Sequence, residues 1–145
     1  MLKQITVFLE NKPGRLEEVT KCLADEAINV YALSLADTAD FGILRLIVSD
    51  PEKTQMILKE KNFMAKIADV IAVAMDNNPG SLYKILKELK HLDASIEYMY
   101  AFSSWHKDYS AIVVLRLDNQ DALIDKLKDN NLVLLGSDIL DGCGK

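Results

Sequence analysis

The chain has 145 residues, half of them hydrophobic and 27% charged, with 17 basic and 22 acidic side chains and a formal charge of −5. That size fits one ordinary domain or two very small ones and excludes a long multidomain enzyme, and the composition is that of a chain able to bury a core. The acidic excess is spread evenly, nine basic against eleven acidic residues in 1–69 and eight against eleven in 70–145, so neither half offers the clustered Lys and Arg that hold nucleic acid or an anionic membrane surface.

Along the chain, the first apolar run is Ile5-Thr6-Val7-Phe8-Leu9, a strand pattern that ends at Glu10-Asn11-Lys12-Pro13-Gly14-Arg15-Leu16. Leu16, Val19 and Leu23 then fall at helical spacing, and Ile28-Asn29-Val30-Tyr31-Ala32-Leu33 reads as a second strand. Gly42 to Val48 is a third. Asp50-Pro51 marks the start of a second helix, because an Asp cap followed by Pro at the first helical position satisfies two preferences at once. A short closing strand is expected at about Met64 to Asp69.

The same order then repeats. Val70 to Met75 leads into Asp76-Asn77-Asn78-Pro79-Gly80-Ser81-Leu82, so Gly80 follows Gly14 by 66 residues, with Leu82, Ile85, Leu86 and Leu89 at helical spacing behind it. Ala94-Ser95-Ile96-Glu97-Tyr98-Met99 keeps the offset of 66, whereas Ala111 to Leu117 matches Gly42 to Val48 at 69, which places three extra residues in a hairpin loop. A last helix starts near Asn119, and a closing strand is expected between Val133 and Leu140. Each half therefore reads as strand, helix, strand, strand, helix, strand: an α+β, ferredoxin-like βαββαβ unit with an antiparallel sheet and helices on one face. The boundaries are 1–69 and 70–145, without a linker. On the third strands, Leu44, Leu46 and Val48, like Val113, Leu115 and Leu117, are assigned to one face, and Ile43, Arg45, Ile47, Ile112, Val114 and Arg116 to the other. Units this small are marginal alone, so the second apolar face is expected to be covered by the other repeat or by a second chain.

The Asn-x-Pro-Gly-x-Leu turn carries the chemistry. Pro fixes its own backbone, Gly permits a positive φ and a close approach, the helix behind presents free amides to a carboxylate, and Asn offers donor and acceptor. The same residues also make a good strand-to-helix turn with Asn as its cap, and both readings stand. With the helix and the Ile28-Asn29-Val30 strand behind it, the segment resembles the ACT domain, a family of regulatory βαββαβ modules that bind amino acids in enzymes of amino-acid metabolism and in transcriptional regulators. The second copy resembles it through Asp76 to Leu82 and Ala94-Ser95-Ile96. The resemblance implies a ligand at an interface between two modules, held by the loop after the first strand and the start of the first helix: Asn11, Pro13, Gly14, Arg15 and Leu16, and Asn77, Pro79, Gly80, Ser81 and Leu82. The phosphoglycerate dehydrogenase type has a ligand-contacting His two residues before the Asn, where this chain has Leu9 and Met75. That turns the expectation from serine toward a more apolar ligand, or toward contacts made elsewhere.

Half of the ten aromatic residues lie between Tyr98 and Tyr109. Tyr98, Tyr100 and Phe102 alternate along one strand, and Trp105 and His106 fall in the expanded loop; the group is either packing or a wall over a ligand pocket. Arg15, replaced by Ser81 in the second copy, is read as a solvent-facing helix residue or as a carboxylate or dimer contact. His91 and His106 have no Asp or Cys at metal-ligand spacing. Cys22 reads as a small core residue, and Cys143 lies in the tail. No catalytic constellation, phosphate loop or dinucleotide fingerprint is present, and a metal chaperone of this topology would carry Cys-x-x-Cys where Pro-Gly stands. An RNA-recognition module stacks bases mainly on its first and third strands, and Gly42 to Val48 and Ala111 to Leu117 contain no aromatic. The N-terminus lacks signal-peptide features and no apolar run reaches the roughly eighteen residues of a membrane span. The expectation is a cytoplasmic, non-catalytic homodimer that binds a small amino acid without cofactor or metal and acts on an enzyme or regulator of amino-acid metabolism. The alternative is an interaction module that uses the same fold only to dimerise.

Overall fold

The structure is a computed structural model and describes residues 1–38, 40–104 and 107–140. Trp105, His106 and Cys143 lie outside the described residues. The elements are β1 (Leu2–Glu10), α1 (Arg15–Asp25), β2 (Val30–Asp37), β3 (Phe41–Val48), α2 (Pro51–Glu60), β4 (Met64–Met75), α3 (Ser81–His91), β5 (Ile96–Ser103), β6 (Ala111–Leu117), α4 (Gln120–Asp129) and β7 (Leu134–Leu135), followed by a 3₁₀ turn, Ser137–Leu140. The chain divides into two compact units, Lys3–Asp69 and the residues from Val70 onward, to which Met1 and Leu2 belong. The closing strand of the first copy and the opening strand of the second, expected as separate runs, are one strand of 12 residues, β4.

In the first unit the strands lie in the order β2-β3-β1-β4. Antiparallel pairing sets Ile5 opposite Leu46 and Val7 opposite Leu44. Side chains alternate across a strand, so Ile5, Val7, Leu9, Leu44, Leu46 and Val48 share one face. They form a core with Val19 and Leu23 of α1 and Ile57 and Leu58 of α2. In the second unit β6 lies between β4 and β5, and β7 pairs with β4 through Ala72 and Val73. Ile71, Val73, Val113, Leu115 and Leu117 pack there against Ile85 and Leu89 of α3 and Leu127 of α4. The two units are thus helix-on-sheet layers of the same kind. On the sheet faces turned away from the helices, Ile47, Ile112 and Val114 are buried, while Ile43, Arg45 and Arg116 are half-buried.

The duplication extends to backbone irregularities. The β2–β3 ladder shifts register between Val30 and Ala32, and the β5–β6 ladder between Ile96 and Tyr98, the equivalent place. Such bulges bend a strand and strengthen its twist. Helix ends match as well. Ala27 and Asp93 follow α1 and α3 in the left-handed conformation, with φ of 55° and 54°, and Asn62 and Asn131 do so after α2 and α4. After α1, the Ile28 amide donates to the Leu23 carbonyl at 2.9 Å and the Ala27 amide to Ala24 at 3.1 Å, the paired bonds of a Schellman ending. The Asp93-Ala94 and Asn62-Phe63 pairs repeat the pattern on α3 and α2.

The second helices begin differently. Asp50 caps α2, its Oδ1 accepting from the Lys53 amide at 3.0 Å, with Pro51 behind it as expected. Asn119 precedes α4 at φ 51° and makes no side-chain cap. The closing strand expected for Val133 to Leu140 is confined to Leu134–Leu135, and the chain then turns into the 3₁₀ segment.

Candidate functional site

Each Pro-Gly segment is a tight turn feeding a helix. In the first unit the Arg15 amide faces the Lys12 carbonyl at 3.5 Å, and Gly14 has φ 85° and ψ −6°. In the second the Ser81 amide donates to Asn78 at 3.1 Å, and Gly80 has φ 88° and ψ −9°. Pro at the second position of a four-residue turn and Gly in the left-handed region at the third define a type II turn. The glycine then serves as N-cap: its carbonyl accepts the first helical bond, from Glu18 at 3.0 Å or from Lys84 at 3.1 Å. Neither α1 nor α3 receives a side-chain cap. The expectation that Asn caps the helix is therefore corrected, because the left-handed glycine occupies the capping position and Asn stands three residues before it.

The asparagines do a different job. Asn11 donates through Nδ2 to Asp37 Oδ1 at 3.0 Å, tying the turn to the end of β2. Asn77 uses its backbone amide, which donates to Ser110 Oγ at 2.7 Å just before β6. Both bonds fasten the first loop to the hairpin of the same unit. Asp37 and Ser110 carry no sequence signal, since nothing in their spacing separates them from other hairpin residues. A Cβ placed on Gly14 or Gly80 would find no atom within 4 Å, so space for an approaching group lies beside both backbones.

Arg15 is not a solvent-facing residue. Its side chain is 26% exposed, Nη1 donates to Glu18 Oε2 at 2.7 Å, and the guanidinium carbon lies 4.5 Å from the centroid of the buried Phe63 ring. The carboxylate that it meets belongs to its own helix, one turn away. Leu16 packs half-buried against the first core, whereas Leu82 is exposed and Ser81 half-buried. Lys12 forms an ion pair with Glu10 at 2.9 Å. The Lys12 hydrogen bond, then its charge and that of Arg15, hold the Glu10 carboxyl below its ordinary range. The second turn has no basic residue from Asp76 to Tyr83, so the two turns differ in charge while sharing a backbone.

Leu9 is buried in the first core and Met75 packs partly buried against the second, which points both positions into their own units. Tyr98, Tyr100 and Phe102 share a face, lying opposite Arg116, Val114 and Ile112 in the ladder, and all three are half-buried. Tyr109 is half-buried and His91 exposed at the end of α3. Cys22 is half-buried against the first core. Among the described residues there is no group of three or more His, Cys, Asp or Glu that could hold a metal ion, and no helix long and apolar enough to cross a membrane.

The family model described as "ACT domain pair" matches residues 1–141. The chain belongs to the ACT domain pair family. Among solved structures, this ACT pair is similar to protein BT0572 from Bacteroides thetaiotaomicron, at 46% identity and a TM-score of 0.86 over 97% of this chain and 96% of that one. It shares its fold with the ligand-free regulatory subunit of aspartate kinase from Thermus thermophilus, at 15% identity and a TM-score of 0.60, covering 89% of this chain and 91% of that one. The corresponding subunit from Thermus flavus matches at 15% identity and 0.57, over 88% and 91%. No curated protein gives a significant match.

Proposed function

We propose that this ACT pair, with modules at 1–69 and 70–145, is a non-catalytic regulatory protein that binds a free amino acid through its Pro-Gly turns. Occupancy would be conveyed to an enzyme or regulator of amino-acid metabolism. The observation that carries this reading is the repeated type II turn, in which a left-handed glycine opens a helix without a side-chain cap beside empty space. Such a turn leaves the first helical amides for an anionic group, which suits the carboxylate of an amino acid. Asn11 and Arg15 beside the first turn, and Asn77 and Ser81 beside the second, supply the polar contacts; Pro13 and Pro79 fix the turns, and Leu16 and Leu82 begin the helices. The fold is that of regulatory subunits of aspartate kinase, which supports the assignment to a regulatory class. Control would follow from linkage: a ligand that binds one arrangement of the protein better than another shifts the population by that difference in affinity.

We further infer a cytoplasmic homodimer. Leu33 and Leu35, on one face of the edge strand β2, are 54% and 48% exposed, two large apolar side chains at a sheet edge. A specific observation favours the competing reading of a pure interaction module: the turns' own hydrogen bonds account for Pro and Gly without a ligand. A thermal-shift screen of the twenty amino acids separates the two. A rise in melting temperature with one or a few of them, lost in Asn11→Ala or Asn77→Ala protein that remains folded, is the expected result. No rise with any of the twenty leaves the interaction module.

A further inference from the structure

In the first unit a cleft of about 360 Å³ lies between α1 and α2. That volume is within the usual range for small-molecule sites. Ile57 and Phe63, both nearly buried, and the half-buried Cys22 supply its apolar lining. Its polar lining contains three carboxylates, Glu18, Asp25 and Glu26, and two amines, Lys21 and Lys61.

The charges do not cancel at random. Glu18 pairs with Arg15 at 2.7 Å, Asp25 with Lys21 at 2.7 Å, and Glu26 with Lys53 at 3.0 Å. Each acid of the cleft thus has its own cation, two of them, Arg15 and Lys53, from outside the lining, and among the described residues the Lys61 ammonium is left over beside the apolar residues. An incoming amine would have to displace one of three existing cations, whereas an incoming carboxylate meets an ammonium that is ready for it. A lysine is a compact point charge suited to a single anionic group.

We propose that this cleft is a small-molecule site distinct from the Pro-Gly turns, and that it takes a monocarboxylate with an aromatic or branched aliphatic body. The carboxylate lies on Lys61, and the body lies against Phe63, Ile57 and Cys22. This assignment does not rest on amino-acid binding at the turns; the two sites share only Arg15, which pairs with Glu18 and lies over Phe63, both of which line the cleft.

The test is a titration of the full chain, followed by NMR, with 3-phenylpropionate and 4-methylpentanoate, and with phenethylamine and phenylalanine as controls. Ligands of this size bind at best with modest affinity, so a dissociation constant on the order of 1 mM is expected for the carboxylates. The Ile57 methyl and Phe63 ring signals should shift, and Lys61→Met should weaken binding about tenfold, by loss of the charge, while Lys59→Met should not. Alkylation of Cys22 with N-ethylmaleimide should block the probes by filling the cleft. The proposal is overturned if the carboxylates cause no shift at these signals up to about 10 mM, a concentration well above the expected constant. Undiminished binding to Lys61→Met protein, or phenethylamine binding as well as the acids, also overturns it. Shifts at Asn11 or Gly14 with phenylalanine, together with none at Ile57 from either carboxylate, would support the turn site while refuting this one.

Discussion

The Arg15 guanidinium stacks on the ring of Phe63 at 4.5 Å while donating to Glu18 at 2.7 Å. Phe63 follows α2 directly, in the position whose amide closes that helix on Leu58. A residue at the start of α1 is thereby locked to the end of α2. Partly buried cation–aromatic pairs are worth about 1 kcal/mol, so a double-mutant cycle of Arg15→Lys and Phe63→Leu should return a coupling of about that size in urea unfolding. Arg15→Lys alone should lose less, because it also removes Nε, which is buried with no hydrogen-bond partner. A coupling near zero would show that the stack contributes only packing.

Gly14→Ala and Gly80→Ala should destabilise equally. Neither added Cβ meets an atom within 4 Å, so the whole cost is the left-handed backbone, about 1–2 kcal/mol. Gly14→Asn should cost less, because Asn tolerates this conformation better than Ala. Chemical denaturation of the three variants checks the ranking, and a much larger loss at one glycine would mean that its turn carries a constraint absent from the other.

Ala27 runs the same physics backwards. A non-glycine residue without a polar side chain sits at φ 55° where glycine is preferred, so Ala27→Gly should stabilise the protein by about 0.5–1 kcal/mol after the entropy of the unfolded glycine is counted. Asp93→Gly should gain less, since Asp is at home in this region. A fall in the melting temperature of Ala27→Gly would refute the account.

Lys3 and Glu52 form a hydrogen-bonded ion pair on the first unit. The hydrogen bond to Lys3 lowers the Glu52 pKa, and the hydrogen bond and charge of Glu52 raise that of Lys3. A lowered carboxyl stabilises above its unfolded pKa and loses that contribution as pH falls through the folded value. A raised amine stabilises below its unfolded pKa and loses it as pH rises through the folded one. Glu52→Gln should therefore lower the melting temperature at neutral pH and make no difference well below the carboxylate range. Both groups are exposed, so the effect should be small and should shrink in added salt.

Much of the fold was legible because it depends on periodicity. Leu44, Leu46 and Val48 had to share a face with whatever Val19 and Leu23 faced, and they do. The repeated Pro-Gly turn was legible because only a few backbone shapes accept that dipeptide. What periodicity could not show is which partner a polar side chain takes. Asn11 could cap a helix or cross to a hairpin, and the choice of Asp37 rests on a loop closure 26 residues long. Arg15 was ambiguous for the same reason, because Phe63 is remote in sequence. The last strand was overextended because Val133 to Leu140 reads as apolar and β-like, while the pairing on β4 stops at Leu135, where the chain turns into the 3₁₀ segment.

The left-handed residues record the ancestry of the chain better than its side chains do. Ala27 answers to Asp93 and Gly14 to Gly80 at a spacing of 66, whereas Asn62 answers to Asn131 at 69. Of these three pairs only the glycines and the asparagines kept their identity, while all three kept a left-handed φ. A gene copy drifts freely in chemistry as long as each helix stops where its predecessor stopped, so related chains should be aligned on these stops before their side chains are compared.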